Sequence, residues 1–239
     1  MPPKIHLIRH AQGEHNTTRD YSIRDAVLTA KEKEQCRMLS ENFEPHAEVD
    51  IIFASPLRRT IQTAALSFGP TLSKKIDMGT ADSAEDLEQA LPEFFAEDSL
   101  DFDLMKIDAS KVTTGWNTKG YWAYEKPAIS KRAADCRNWL FQRCEAQAVV
   151  ITHGLMAHFL TEDWDVEDPM IGTAYKNCEH REFVFTSEST SEDAHVTETE
   201  QSRARRGPNG PKSDPHVLDE MKTLKDAAKK EKCYRDASE

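Results

Sequence analysis

Short, continuous apolar runs recur along the chain, and each stops at a polar tip. Ile5-His6-Leu7-Ile8 ends in Arg9-His10, Val49 to Ala54 ends in Ser55-Pro56, and Ala148 to Thr152 ends in His153-Gly154. Apolar stretches without alternation predict strands buried on both faces. Helical spacing lies between them. Thr29 to Phe43 reads as a helix with Thr29 as its N-cap, and Leu57 to Phe68 as a second, stopped by Gly69-Pro70. Ala128 to Cys144 carries Ala133, Cys136, Leu140 and Phe141 on one face, and a further helix runs from Leu155 to about Glu162. Arg181 to Thr186 reads as the last strand. Strands alternating with helices predict an α/β fold, a three-layer sandwich with a mostly parallel central sheet flanked by helices. Such sheets place their sites at the C-terminal ends of strands.

Two stretches break the pattern. Pro70 to Lys126 holds Asp82, Glu85, Asp86 and Glu88, then Trp116, Tyr121, Trp122 and Tyr124. It reads either as a cap over the sheet edge that supplies substrate walls, or as a plain surface subdomain with aromatic core residues. From Ser187 onward large apolar residues are nearly absent, so burial cannot offset ordering entropy. The expected organisation is a domain over 1–186, with 70–126 as a cap or insertion within it, and a charged low-complexity tail over 187–239. Val217 to Lys232 is the one part of that tail with an amphipathic helical pattern.

Charge narrows the partners. A net charge of −11 disfavours non-specific binding to nucleic acid or anionic lipid, so any anion site must be made by a few placed cations. The five cysteines are odd in number and form no C-x-x-C pair, which predicts reduced thiols in a cytoplasmic protein and no zinc site. Met1 to Ile5 runs straight into a strand pattern without a signal-peptide profile, and no apolar run approaches the roughly 20 residues that span a bilayer.

The polar tips carry the chemistry. An imidazole beside a guanidinium at a strand end suits a nucleophile facing phosphate: the neutral ring nitrogen of His10 attacks phosphorus while Arg9 pairs with non-bridging oxygens. Gly13 and Asn16 follow in the same turn. Ser55-Pro56-Leu57-Arg58-Arg59 turns a strand end into a helix N-terminus, whose free N–H groups attract an anion. Arg58 and Arg59 point about 100° apart on a helix, so only one of them faces the same pocket. His153 supplies another contact, and Gly154 permits close approach of backbone and ligand.

Taken in this order, Leu7 to Asn16, Ser55 to Ala64 and Thr152-His153-Gly154 resemble the signature segments of the histidine phosphatase superfamily, whose fold is called phosphoglycerate mutase-like. Smaller matches at Asp25, Leu28-Thr29, Gln35-Cys36, Trp116-Asn117 and Leu160 to Trp164 resemble its small fungal cytosolic branch. The resemblance spans about residues 4–186. It implies a metal-independent phosphomonoesterase without a cofactor, akin to histidine acid phosphatases, acting on a small phosphorylated molecule. It implies His10 as the residue that becomes phosphohistidine, Arg9 and Arg59 as phosphate-binding arginines, His153 as the second histidine and Asn16 as a pocket asparagine. Arg58, Gly154, Trp116 and Tyr121 complete the candidate binding set.

The family pattern is broken at one point. A strand and then an acid-bearing turn are expected after Phe68, but Gly69 to Lys75 leads almost directly to Ile76-Asp77-Met78-Gly79-Thr80, and both pieces look deleted. Glu85 leads the candidate replacement acids, with Asp82 beside it. Loss of a general acid costs about 10²–10⁴-fold in rate. The sequence therefore also admits a weakened phosphate-binding or regulatory protein, or a pocket reused for other chemistry on a small aromatic or apolar metabolite. A mutase is disfavoured, because no cluster of lysines accompanies the site segments.

Overall fold

The computed structural model describes residues 1–13, 25–69, 71, 76–78, 92, 95, 100, 107–108, 112, 125–162, 175–206 and 222–223. Their strands are β1 (Lys4–Arg9), β2 (Ile51–Ala54), β3 (Ile76–Met78), β4 (Ile107–Asp108), β5 (Gln147–Thr152), β6 (His180–Phe185) and β7 (Val196–Glu198). The helices are α1 (Ala30–Asn42), α2 (Arg58–Phe68), α3 (Lys126–Phe141), α4 (Gly154–Leu160) and α5 (Glu200–Arg206). The strands form one sheet in the order β4-β3-β2-β5-β1-β6-β7. From β4 through β1 every pairing is parallel, and β6 and β7 are antiparallel additions at one edge.

Side-chain alternation along the central strands builds two cores. Ile8, Ile52, Val149 and Ile151 face Leu39 and Phe43, which flank the end of α1, and Ile61, Ala64 and Phe68 of α2. Ile5, Leu7, Ile51, Phe53, Ala148 and Val150 face Ile129, Ala133 and Leu140 of α3, together with Leu155 and Phe159 of α4. The expected three-layer sandwich with a mostly parallel sheet is the observed one. Each large aliphatic side chain so buried contributes about 1.5–3 kcal/mol, enough in sum to fix the strand tips against one another.

Helix ends follow local chemistry. Thr29 occupies the α1 N-cap with extended dihedrals, but its backbone oxygen, accepting from the amides of Glu32 and Lys33, does the capping; its side chain makes no cap hydrogen bond. Helix α3 starts at Lys126 and carries proline in its first turn, a position where the missing N–H costs nothing.

Three sequence expectations need correction. The strand expected after Phe68 is present: Ile76–Met78 pairs in parallel with β2, so these residues are the strand itself and not a later piece. Only three residues long, it shows no periodicity. The strand at residues 180–185 is not the last, because β7 pairs with it at Phe183↔Glu198, Val184↔Thr197 and Phe185↔Val196. The ordered domain therefore passes the expected boundary at 186 and runs through α5, where Ser202 Oγ accepts the amide of Glu182 at 3.0 Å. In the 70–126 stretch, Phe95 and Ile107 join the first core and β4 extends the sheet edge. The helical pattern over 217–232 lies outside the described residues apart from 222–223. Among the described residues no helix is long and apolar enough to cross a membrane.

Candidate active site

The sheet order β2-β5-β1 brings the three polar tips to one edge. Backbone bonds continue the ladder past the strands: the His10 amide donates to Thr152 O and the Ser55 amide to Ile151 O, each at 2.9 Å. His10, Ser55 and His153 are thus placed by the same parallel register that sets Arg9 opposite Thr152 and Ala54 opposite Ile151. The His10 and His153 rings meet edge to face, with centroids 5.0 Å apart.

Arg59 lies between them. Its Nε donates to His10 Nε2 at 3.3 Å, and an Nη donates to His153 Nδ1 at 3.2 Å. Because a guanidinium only donates, both of those ring nitrogens carry lone pairs. His10 Nδ1 must then hold the proton, and it donates to Ala11 O at 2.5 Å. His153 Nε2 likewise donates to Ser55 Oγ at 2.7 Å. Heavy-atom contacts alone therefore fix the His10 tautomer with its Nε2 lone pair turned toward the cationic side of the site. Burial holds the His10 pKa well below the ordinary imidazole value of 6.5, and the charges of Arg59 and Arg9, with that of His153 whenever it is protonated, push the same way. The ring is neutral at physiological pH, the form a nucleophile needs.

The supporting contacts are equally specific. Arg9 is buried, and its Nη1 donates to Tyr175 O at 2.8 Å. Asn177 Nδ2 donates to His10 O at 2.9 Å, and the Cys178 amide donates to Arg9 O at 2.9 Å from a left-handed conformation (φ 57°). Thr63 Oγ1 accepts the amide of Ala11 at 3.0 Å and donates to Arg59 O at 2.7 Å, so one hydroxyl ties α2 to the turn after β1. Gln35 Oε1 accepts the amide of Gln12 at 3.0 Å.

Of the residues singled out from sequence, Arg9, His10, Arg59 and His153 come together, with Gly154 buried as the first residue of α4. Arg58 does not join them. It is bound to Asp25, its amide donating to Oδ1 at 2.9 Å and its Nε to Oδ2 at 3.2 Å, so it buttresses the segment before α1. This corrects its inclusion among the candidate phosphate ligands. Asn16, Glu85, Trp116 and Tyr121 lie outside the described residues. Sequence reasoning marked Ser55 only as a polar strand tip, without a role, and did not single out Thr63 or Asn177. Ser55 and Thr63 flank Arg59 within one short segment, which is a readable signal. Asn177 is brought in only by tertiary packing.

Two imidazoles just past the ends of adjoining strands, Arg9 at the end of β1 and Arg59 in the first turn of α2 form a cationic cluster whose groups could pair with a tetrahedral oxyanion. Comparisons with known proteins agree with that chemistry. The family model for "Histidine phosphatase superfamily (branch 1)" matches residues 5–195. "Phosphoglycerate mutase-like protein 1" of Arabidopsis thaliana is 25% identical over 246 residues, covering 81% of this chain and 85% of that protein. A second Arabidopsis thaliana "Phosphoglycerate mutase-like protein" is 23% identical over 231 residues, covering 76% and 83%. Both are plant proteins, so they speak for the superfamily and not for its fungal branch. Among solved structures, "Mycobacterial hydrolase 1" superposes with a TM-score of 0.52 at 14% identity, covering 84% of this chain and 99% of that one. "Bacillus stearothermophilus YhfR" gives 0.52 at 16% identity, covering 82% and 96%. The fold, the strand-tip chemistry and a family match across most of its length together place the chain in the histidine phosphatase superfamily, branch 1.

Proposed function

We propose that this protein hydrolyses small phosphomonoesters without a metal, through a phosphohistidine formed on Nε2 of His10. The carrying observation is the tautomer: Nδ1 is committed to Ala11 O, and the Nε2 lone pair faces Arg59 and His153. Substrate phosphate displaces the 3.3 Å contact from Arg59 Nε, the longest of those that hold the two rings. Nε2 attacks phosphorus, the bond to the ester oxygen breaks, and that oxygen leaves as an alcohol after taking up a proton. Water then attacks the phosphohistidine, which releases inorganic phosphate and restores the neutral ring. Arg9 and Arg59 bind the non-bridging oxygens throughout, joined by His153 once its Nδ1, freed from Arg59, takes up a proton, with Asn16 and Gly154 adding donors. Trp116 and Tyr121 form the walls that meet the organic group.

Strand β3 ends at Met78, and Asp82 and Glu85 follow it in sequence, which supports the candidates for the replacement acid. Glu85 is the proton donor in this reading. A hydrolase fits better than a mutase, since holding a bisphosphate needs further basic groups near the site segments. A cytoplasmic location follows from the thiol composition.

The contact of Arg59 on His10 Nε2 also suits a second reading, an anion-binding protein with little turnover. Hydrolysis of an aryl phosphate in EDTA separates the two. Turnover that disappears in His10→Ala and falls sharply in His153→Ala supports the hydrolase. Equal, slow clearance by wild type and His10→Ala rejects it.

A further inference from the structure

A second cluster of histidines lies away from the strand tips. His6 and His180 face the same side of the sheet on adjacent antiparallel strands, and Glu182 sits directly across from His6. His6 Nδ1 and His180 Nε2 are 2.9 Å apart, and donor atoms of His6, His180 and Glu182 all lie within 4.8 Å of one another. His6 precedes His10 by four positions, about 13 Å along an extended strand, so this cluster is separate from the strand-tip site.

We propose that His6 Nδ1, His180 Nε2 and a Glu182 carboxylate oxygen form a site for one borderline divalent cation of the zinc type. Two imidazoles and one carboxylate suit such a cation and leave its fourth position to water. Metal bonds of about 2.0–2.1 Å place tetrahedral donors about 3.3 Å apart. The two nitrogens therefore separate slightly, and the carboxylate swings inward.

Three observations favour this over a plain buried polar network. First, the outer partner of a metal-bound imidazole is already built. Gln147 Nε2 donates to Glu48 Oε2 at 2.6 Å, which turns Gln147 Oε1 to accept from His6 Nε2 at 2.8 Å. The proton of His6 is thereby fixed on Nε2, and its Nδ1 lone pair points at His180, as a ligand requires. Second, the His6 and His180 nitrogens that face each other are 2.9 Å apart and share a single proton, donated by His180 Nε2. Binding therefore needs only a shift of that proton from Nε2 to Nδ1 of His180. Third, His6 and Glu182 are buried while His180 is partly exposed, which leaves an entry side.

The charged groups around the cluster set the competition. Glu182 is ion-paired to Arg205 on α5, and its Oε2 lies 3.9 Å from Lys4 Nζ. The cation displaces Arg205, whose side chain is 43% exposed and can turn to solvent. Cysteine spacing in the sequence predicts no metal, and it is blind to a set assembled by antiparallel pairing.

The test uses the untagged full chain, stripped with EDTA and exchanged, then titrated with Co²⁺ for visible absorption and Zn²⁺ for calorimetry. One saturable equivalent is expected with the absorption of a tetrahedral site. It should persist in His10→Ala and weaken more than tenfold in His180→Ala. Gln147→Ala, at a partly exposed position that spares the core, should weaken it roughly 10–100-fold. No saturable equivalent in wild type, undiminished affinity in both His180→Ala and Gln147→Ala, or its loss in His10→Ala overturns the assignment.

Discussion

Arg59→Ala separates an arranged site from a chance meeting of charges. In the free protein Arg59 touches both rings, and in the proposed reaction it pairs with the transferring phosphoryl group. Removing one preorganised donor aimed at developing charge costs about 2.7–4 kcal/mol, roughly 10²–10³ in rate. The same change acts on the nucleophile. After burial, Arg59 is the largest cause of the lowered His10 pKa. With its charge gone, that pKa climbs toward the ordinary 6.5. His10 works as the neutral base, so activity is lost as pH falls through its pKa, and a raised pKa moves that acidic limb to higher pH. The profile of kcat/KM reads groups of the free enzyme. Comparing wild type and Arg59→Ala on one aryl phosphate cancels the substrate's own ionisation. A fall of roughly 10²–10³ with the acidic limb moved to higher pH is predicted. A fall below about fivefold, or a limb that stays put or moves to lower pH, refutes the reasoning.

Two further perturbations probe the scaffold. Ser55→Ala removes the acceptor of His153 Nε2–H, and a neutral hydrogen bond of about 0.5–1.5 kcal/mol predicts a roughly 2- to 12-fold lower kcat. Steady-state kinetics with unchanged kcat would remove Ser55 from any positioning role. Ile61→Ala opens a cavity in α2 at a side chain that is 0% exposed, and should lower unfolding free energy by about 2–5 kcal/mol in urea melts. A loss under about 1 kcal/mol would mean that α2 is not held by this core.

Much of this architecture is legible in the sequence for simple reasons. Strands β1, β2 and β5 are covered on both faces, so their apolar runs are continuous and their polar ends stand out. The adjacency of Arg58 and Arg59 already says that only one can face the pocket, and Asp25 takes the other. Elements at the sheet edges are harder to read. Strand β3 is too short for any period, and β7 exposes or half-buries all three of its residues, so Val196-Thr197-Glu198 reads as part of a polar tail. Contacts made by the 175–179 turn are invisible for another reason. Tyr175 and Asn177 reach Arg9 and His10 across more than 160 residues, and the Tyr175 contact uses a backbone oxygen that no side-chain pattern encodes. The His6–His180 pair is hidden in the same way, because only the β1–β6 register brings it together.

The most direct measurement is a quenched-flow trap with an aryl phosphate, followed by digestion and mass spectrometry of the peptide that carries His10. The account predicts an acid-labile, base-stable phosphoryl group on His10, absent from His10→Ala and lost when the trapped protein is left to react with water. Turnover by wild type with no phosphoryl group on His10, or with the label on another residue, would contradict it.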